Sequence, residues 1–173
     1  MKYKFIIFMI FGSILTAKGQ ETIPEWFITE IKAQEGTWIA DNSKYSEDGI
    51  ESYAIEWTLS PLKNSLYGRL YGINDNVEIG TFWTFHKYFD TSKNKVVLMQ
   101  IGYNGSLGIG TIEYKNNNET VLTQTFTDPE GTSRLEGHNM IYPNDTTEIG
   151  SSYSINESGG WTLKRTYTWK KSL

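Results

Sequence analysis

Three residues in the last third of the chain have side chains that could perform acid–base chemistry. Arg134, Glu136 and His138 alternate along one segment, and alternate residues of a strand share one face with about 6.5–7 Å between neighbours. A carboxylate beside an imidazole, with a guanidinium nearby, can move protons to and from a small molecule. The same alternation is typical of a solvent-facing strand whose other face, here with Leu135 and Ile141, packs on the core. The solvent-facing interpretation is favoured, and the three polar residues remain candidate catalytic residues.

The chain has two histidines, His86 and His138, and no cysteine. The absence of cysteine excludes disulfides, thiolate metal sites and a thiol nucleophile. Two histidines without a compact ligand spacing are weak support for a metal or haem site, so we predict no metal and no cofactor. His86 shares its strand face with Phe82 and Tyr88, which favours a hydrogen-bonded histidine within the folded domain.

Aromatic residues are abundant, with 6 Trp, 11 Tyr and 8 Phe. Such a composition favours sheets and also suits a pocket lined by rings. The rings could line a cavity for an apolar or ring-shaped ligand, or they could simply fill the interior. The predicted ligand-binding residues are Tyr53, Trp57, Tyr71, Phe82, His86 and Tyr103.

The elements that must position these residues are mainly strands. Residues 25–34 show helical spacing and are followed by Gly36, whereas from Thr37 onward the hydrophobic period is two. Short turn sequences such as Asp48-Gly49 and Asn104-Gly105 separate about ten strands. Short connections make each strand pair with its predecessor, and closure removes the exposed edges. We therefore predict an all-β fold, an antiparallel up-and-down barrel of about 8–10 strands with a short N-terminal helix.

The first nineteen residues have the pattern of a secretory signal peptide. Lys2 and Lys4 precede an apolar stretch over residues 5–15, and small residues at Ala17 and Gly19 suit cleavage before Gln20. The stretch is shorter than the roughly 20 residues of a membrane span, although an uncleaved anchor remains an alternative. We expect residues 1–19 to be removed and residues 20–173 to form one exported domain, periplasmic or secreted, without membrane insertion.

The charge of the mature chain argues against two classes of partner. The full chain has a net charge of −4, and the leader contains three lysines and no acidic residue, so the mature domain is more acidic still. An acidic domain without a basic cluster is a poor binder of nucleic acid and of anionic membranes. We therefore predict no nucleic-acid partner.

A set of short motifs resembles the calycin superfamily, and especially bacterial lipocalin-like domains of uncharacterised function. The matching features are the short helix, Gly36-Thr37-Trp38, Glu56-Trp57, the meander, and the late Arg165 with Trp169. In lipocalins the tryptophan packs across the closed end of the barrel and the late arginine lies over its ring. The resemblance thus implies a structural cation–π closure between Trp38 and Arg165, worth about 1–2 kcal/mol. A cysteine pair and clear second and third lipocalin motifs are absent, so no ligand class is implied.

The function that these observations favour is non-enzymatic binding of a small, apolar or aromatic molecule inside the barrel. One alternative is a carbohydrate-binding β-sandwich, which would present a flat row of exposed aromatic rings. A second alternative is a small barrel isomerase or lyase that uses Arg134, Glu136 and His138. A third alternative is a barrel with a filled interior that functions through its outer surface.

Overall fold

The computed structural model of the protein describes residues 22–172. The predicted leader, residues 1–19, lies outside the described residues. One α-helix, α1 (Glu25–Gln34), comes first. Ten strands follow: β1 (Gly36–Asp41), β2 (Ser52–Leu59), β3 (Ser65–Asn74), β4 (Val77–Asp90), β5 (Lys95–Gly102), β6 (Leu107–Asn116), β7 (Glu119–Thr127), β8 (Ser133–Asn144), β9 (Thr147–Ile155) and β10 (Trp161–Lys171).

The strands form one closed antiparallel barrel in which each strand pairs with its predecessor. The barrel closes where β1 pairs with β10, with Trp38 opposite Lys171 and Ile39 opposite Lys170. The predicted up-and-down barrel with a short N-terminal helix is therefore confirmed. The closed sheet also rules out the two-layered β-sandwich.

Helix α1 covers one end of the barrel, which we call the helix end. It begins after Pro24, whose carbonyl accepts hydrogen bonds from the backbone N–H groups of Phe27 and Ile28. Phe27 and Ile31 are fully buried and pack on a cluster formed by Leu66, Val96, Leu98, Ile112 and Leu122. The helix thus seals the barrel by burying one apolar face.

The passage from α1 into β1 depends on a glycine. Gly36 has a φ of +113°, a backbone conformation that residues with a Cβ atom rarely adopt. The chain turns there and brings Trp38 to 5% exposure beside Trp169. The opposite end of the barrel, which we call the far end, has the starts of β8 and β10 and a 3₁₀ segment (Ser43–Asp48). No helix within residues 22–172 has the length and apolar character needed to cross a bilayer.

Candidate functional site

The barrel encloses a cavity of about 250 Å³. Its apolar wall comes from Ile55, Trp57, Leu70, Trp83, Phe85, Leu98, Ile112, Leu122, Met140, Tyr167 and Trp169. Its polar lining comes from Gln34, Lys87, Gln100, Thr120, His138, Tyr142 and Ser152. A mostly apolar cavity with a few polar groups is the usual form of a small-molecule site.

A buried ion pair lies at the helix end of the cavity. The Lys87 ammonium donates to Glu30 Oε1 at 2.9 Å and to Gln34 Oε1 at 2.6 Å, both on α1. The Lys87 side chain is 6% exposed and that of Glu30 is 10% exposed. Gln34 Nε2 in turn donates to Glu148 Oε2 at 3.1 Å, and Tyr142 donates to Glu30 Oε1 at 3.1 Å. These five side chains, which we call the polar floor, join the helix to the barrel wall.

The polar floor contains two carboxyl groups but only one ammonium group. Burial raises the pKa of Glu148 to about 7, against the lowering effects of Lys87 and of the Gln34 hydrogen bond. Burial and the nearby charges of Glu30 and Glu148 raise the pKa of Tyr142 well above its usual value. Near neutral pH the Glu148 carboxyl is therefore partly protonated, and the Tyr142 phenol is neutral.

Farther along the cavity, His138 presents an uncharged imidazole. Burial lowers the pKa of His138 to about 4. Its Nε2 lies 3.0 Å from Gln124 Nε2 on the neighbouring strand β7. With the amide nitrogen as donor, the imidazole proton resides on Nδ1. A neutral imidazole of this kind can form a hydrogen bond with a ligand without a charge to desolvate.

Glu136 is the central residue of the candidate acid–base set, and its carboxylate is already bound by two cations. Its Oε1 accepts from Arg134 Nε at 2.8 Å and from Lys164 Nζ at 3.0 Å. Burial acts to raise the Glu136 pKa, but the hydrogen bonds and charges of the two cations prevail and lower it. The structure brings Arg134, Glu136 and His138 to one face, yet Glu136 bonds the cations and His138 bonds Gln124.

The orientation expected for β8 was wrong. His138 lines the cavity and Glu136 is 6% exposed. Leu135 and Ile141 instead face outward, at 44% and 40% exposure. Polar residues occupy the inner face because Gln124, Lys164 and Arg134 provide them with partners there, so the more apolar face of β8 is the outer one.

Of the predicted ligand-binding residues, Trp57 lines the cavity. Tyr53 and Phe82 are in ring contact at 6.0 Å, and Phe82 contacts Tyr103 at 6.2 Å. Tyr53 also contacts Tyr167 of the cavity wall at 5.9 Å. These contacts run from the cavity toward the surface, where Tyr103 is 81% exposed.

Tyr71 and His86 do not point into the interior, so that part of the prediction is wrong. Phe85 and Lys87 line the cavity, and His86 between them therefore points outward. Its ring lies 4.4 Å from that of Tyr67 and 4.8 Å from that of Tyr88, and burial there lowers its pKa. Tyr71 follows the cavity residue Leu70, and the Arg69 guanidinium lies 4.3 Å from its ring.

The implied closure between Trp38 and Arg165 is also wrong. The cation nearest the Trp38 ring is Lys171, at 5.6 Å. Arg165 lies opposite Ser152 in the sheet and is about 20 Å along β10 from Lys171. Its guanidinium lies 5.2 Å from the Tyr45 ring at the far end. Lys171, and not Arg165, lies over the tryptophan of Gly36-Thr37-Trp38.

The polar floor was missed in the sequence, although a signal was present. Lys87 interrupts the apolar series Phe85 and Phe89 on one strand face, which marks a lysine directed inward. Glu30 and Gln34 are four residues apart and therefore share a helix face. Within residues 22–172, no three His, Asp or Glu side chains lie close enough together to hold a metal ion.

The arrangement defines a closed ten-stranded antiparallel barrel with a small, mostly apolar cavity and a polar floor. No protein-family profile matches the chain. No curated protein matches it significantly either.

Proposed function

We propose that this protein binds one small, largely apolar molecule inside its barrel and does not transform it. The observation that supports the proposal is the cavity of about 250 Å³ with walls of Trp, Phe, Leu and Ile side chains. An apolar cavity of about 150 Å³ accepts benzene, so by scaling this cavity suits a molecule of about ten non-hydrogen atoms. A substituted single ring or a fused two-ring compound has that size.

The polar lining supports a ligand with one hydrogen-bonding group. Lys87 and Tyr142 border the cavity at the helix end, and His138 borders it farther along. A hydroxyl or carbonyl group directed to either place would accept a hydrogen bond from the third N–H of Lys87 or from Nδ1–H of His138. The remainder of the ligand would replace water against aromatic walls, where burial is worth about 25 cal/mol per Å² of apolar area.

A tryptophan fluorescence titration with a library of small aromatic compounds tests this proposal, because Trp57, Trp83 and Trp169 line the cavity. The matched variants are Ser152→Phe, which fills the cavity, and Ser151→Phe, one position along the same strand and on the outer face. We expect saturable binding to wild type and to Ser151→Phe, and a loss of binding in Ser152→Phe. Equal binding to both variants, or no binding to wild type, would refute it.

The alternative of an isomerase or lyase has less support. His138 provides a neutral imidazole in the cavity, but two cations engage Glu136 Oε1 and lower the pKa of that carboxyl, which makes it a weaker base. If the enzyme hypothesis holds, a turnover detected in wild type must disappear in His138→Ala. Full residual activity in that variant would remove the hypothesis.

We further propose that the protein is exported and related to the calycins. The pattern of residues 1–19 supports export, and the ten-stranded barrel that begins with Gly36-Thr37-Trp38 supports the kinship. Mass spectrometry of the protein produced with its leader in a bacterial host should give a mature N-terminus at Gln20. An intact N-terminus on a cytoplasmic product would contradict export.

A further inference from the structure

A second concavity lies outside the cavity, between α1 and the rim of the barrel. This groove has a volume of about 680 Å³. One wall is the face of α1 that contains Glu25, Thr29 and Ala33, and the opposite wall includes Asn117 and Asp145 from two strand connections. Gln34, Thr120 and Tyr142 border both the groove and the cavity. The groove and the cavity therefore lie on opposite sides of the polar floor.

The charged side chains that line the groove are carboxylates, and the Lys171 ammonium lies at its Trp38 edge. Glu25, Glu30 and Asp145 line the groove, and among residues 22–172 no lysine, arginine or histidine belongs to its lining. Because Glu30 is paired with Lys87, the attraction for a cation and the repulsion of an anion come mainly from Glu25 and Asp145. The groove thus selects for positive charge before any specific contact is considered.

Aromatic rings provide a second attraction for a cation. Trp26 and Tyr114 stack at 5.2 Å between ring centroids, and both line the groove together with Trp38. The face of an indole or phenol ring attracts an ammonium group. Carboxylates combined with aromatic faces favour an organic cation over a fully hydrated inorganic ion.

The chain itself supplies an example of this contact. The Lys171 ammonium lies 5.6 Å from the Trp38 ring and donates to the Ala33 carbonyl at 2.8 Å. Trp38 and Ala33 are both lining residues of the groove. One primary ammonium is therefore already held against this wall by a ring face and a helix carbonyl.

Glu30 adds an acceptor that lacks a donor. Its Oε1 accepts from Lys87 and Tyr142, while its buried Oε2 has no hydrogen-bond partner among the described residues. The side chain is 10% exposed and lines the groove. A buried carboxylate oxygen without a partner is uncommon and costly, and a ligand ammonium that displaces the side chains covering Oε2 would supply the missing donor.

We propose that the groove beside α1 is a binding site for a small organic cation that bears primary ammonium groups. The carboxylates of Glu25 and Asp145 hold the charge at the rim, and the Trp26 and Tyr114 rings contact the carbon chain. Glu30 accepts a hydrogen bond at the base of the groove. This site is separate from the cavity and does not depend on a ligand bound there.

Isothermal titration with putrescine, a four-carbon diamine, tests the proposal at low ionic strength, where surface attraction is least screened. Butane-1,4-diol is the neutral probe of matching length, and succinate is the anionic one. We expect saturable binding of putrescine and at least about ten-fold weaker binding of the diol. We expect no binding of succinate.

The variant for this test is Glu25→Gln/Asp145→Asn, which removes two rim charges and leaves the Glu30–Lys87 pair intact. The control is Glu130→Gln/Glu157→Gln, which removes two exposed charges from far-end turns. We expect putrescine affinity to fall about ten-fold in the first variant and to stay within about two-fold in the control. Equal loss in both would indicate attraction by net charge alone and would overturn the site.

Two further outcomes would overturn the proposal. One is the absence of putrescine binding to the wild-type protein, and the other is equal affinity for putrescine and the diol. Either result leaves the cavity hypothesis untouched, because aromatic ligands in the Ser152→Phe experiment report on the other side of the polar floor.

Discussion

At the scale of single residues, the ion pair of Lys87 and Glu30 is the most consequential polar contact in the barrel. Both side chains are almost fully buried, and removal of one partner of a buried pair leaves the other charge without compensation. We predict that Lys87→Met lowers the free energy of unfolding by about 3–5 kcal/mol. Urea unfolding followed by circular dichroism measures the change.

The exposed ion pair of Lys93 and Asp90 provides the control. Its lysine is 70% exposed, and exposed pairs contribute at most about 1 kcal/mol. Lys93→Met should therefore change stability by less than that amount. Equal effects of the two lysine substitutions would show that Lys87 is not held in a buried pair.

Glu148 predicts a specific pH dependence of stability. Its pKa is about 7 in the folded protein against an ordinary 4.5, so the fold favours the protonated carboxyl. Its stabilising contribution is complete below about pH 4.5 and is lost as the pH rises to about 7. The unfolding free energy of wild type minus that of Glu148→Gln should therefore decrease as the pH rises across that window. Urea titrations at several pH values measure this difference.

His138 changes the stability with pH in the opposite direction to Glu148, and for this reason wild type is compared with Glu148→Gln. Its pKa of about 4 lies below the ordinary 6.5, so its contribution is present above pH 6.5 and is lost as the pH falls toward 4. Both proteins contain His138, and its effect cancels in the difference. A difference that stays flat between pH 4 and pH 8 would contradict the burial of Glu148.

At the scale of elements, strand β3 makes room for a ring of β2 through a glycine. A Cβ atom at Gly68 would lie 2.3 Å from Trp57 Cε3, which no packed structure tolerates. We predict that Gly68→Ala destabilises the barrel by about 1–3 kcal/mol, measured by thermal or urea unfolding. Gly150→Ala is the control, because its nearest neighbour would be Met140 Sδ at 3.3 Å, the side chain of an adaptable residue. An equal cost at both positions would contradict the close packing of Trp57.

The closure between β1 and β10 predicts that substitutions of Lys171 and of Arg165 have different effects on the NMR signal of Trp38. The Trp38 indole N–H donates to the Gln34 carbonyl at 2.8 Å, and Lys171 lies over the same ring. Lys171→Met should shift the Trp38 indole N–H resonance, whereas Arg165→Met should leave it in place. A shift caused by Arg165→Met alone would restore the closure implied by the calycin resemblance.

Strand β8 shows why the candidate site could be predicted only in part. Alternation identifies the two faces of a strand, but it does not state which face lies inside when the interior itself is polar. Arg134 bonds Glu136 on β8 itself, whereas His138 has its partner on β7 and Glu136 has a second partner on β10. Those pairings depend on sheet register across long sequence separations, which no local pattern records. Hence the three residues were identified and their orientation was not.

At the scale of the whole molecule, the barrel could be predicted from the sequence because the patterns of strands, turns and connections all indicate the same fold. Alternating strands, glycine- and asparagine-rich turns and short connections all require neighbouring strands to pair, and closure removes the remaining edges. Each of these signals is local. The position of the last strand's cation over Trp38 is not local, because the register between β1 and β10, the first and last strands in sequence, places Lys171 opposite Trp38.

The size of the interior is likewise a property of the whole molecule. Composition showed enough aromatic residues either to fill the barrel or to line a cavity. Outward placement of Tyr67, Tyr71 and His86 leaves a space of about 250 Å³ inside the barrel. Only the summed positions of all ten strands determine that volume.

The most direct test of the account is a methyl NMR titration of the protein with 2-naphthol, a fused two-ring molecule with one hydroxyl group. We expect saturable one-to-one shifts of the Ile112, Leu122 and Met140 methyl resonances, which border the cavity. Exposed Ile109 and Leu163 methyls should not move, and Ser152→Phe should abolish the shifts. Absence of saturable shifts at the cavity methyls, or shifts confined to the exposed ones, would contradict the central claim that the barrel interior binds a small apolar molecule.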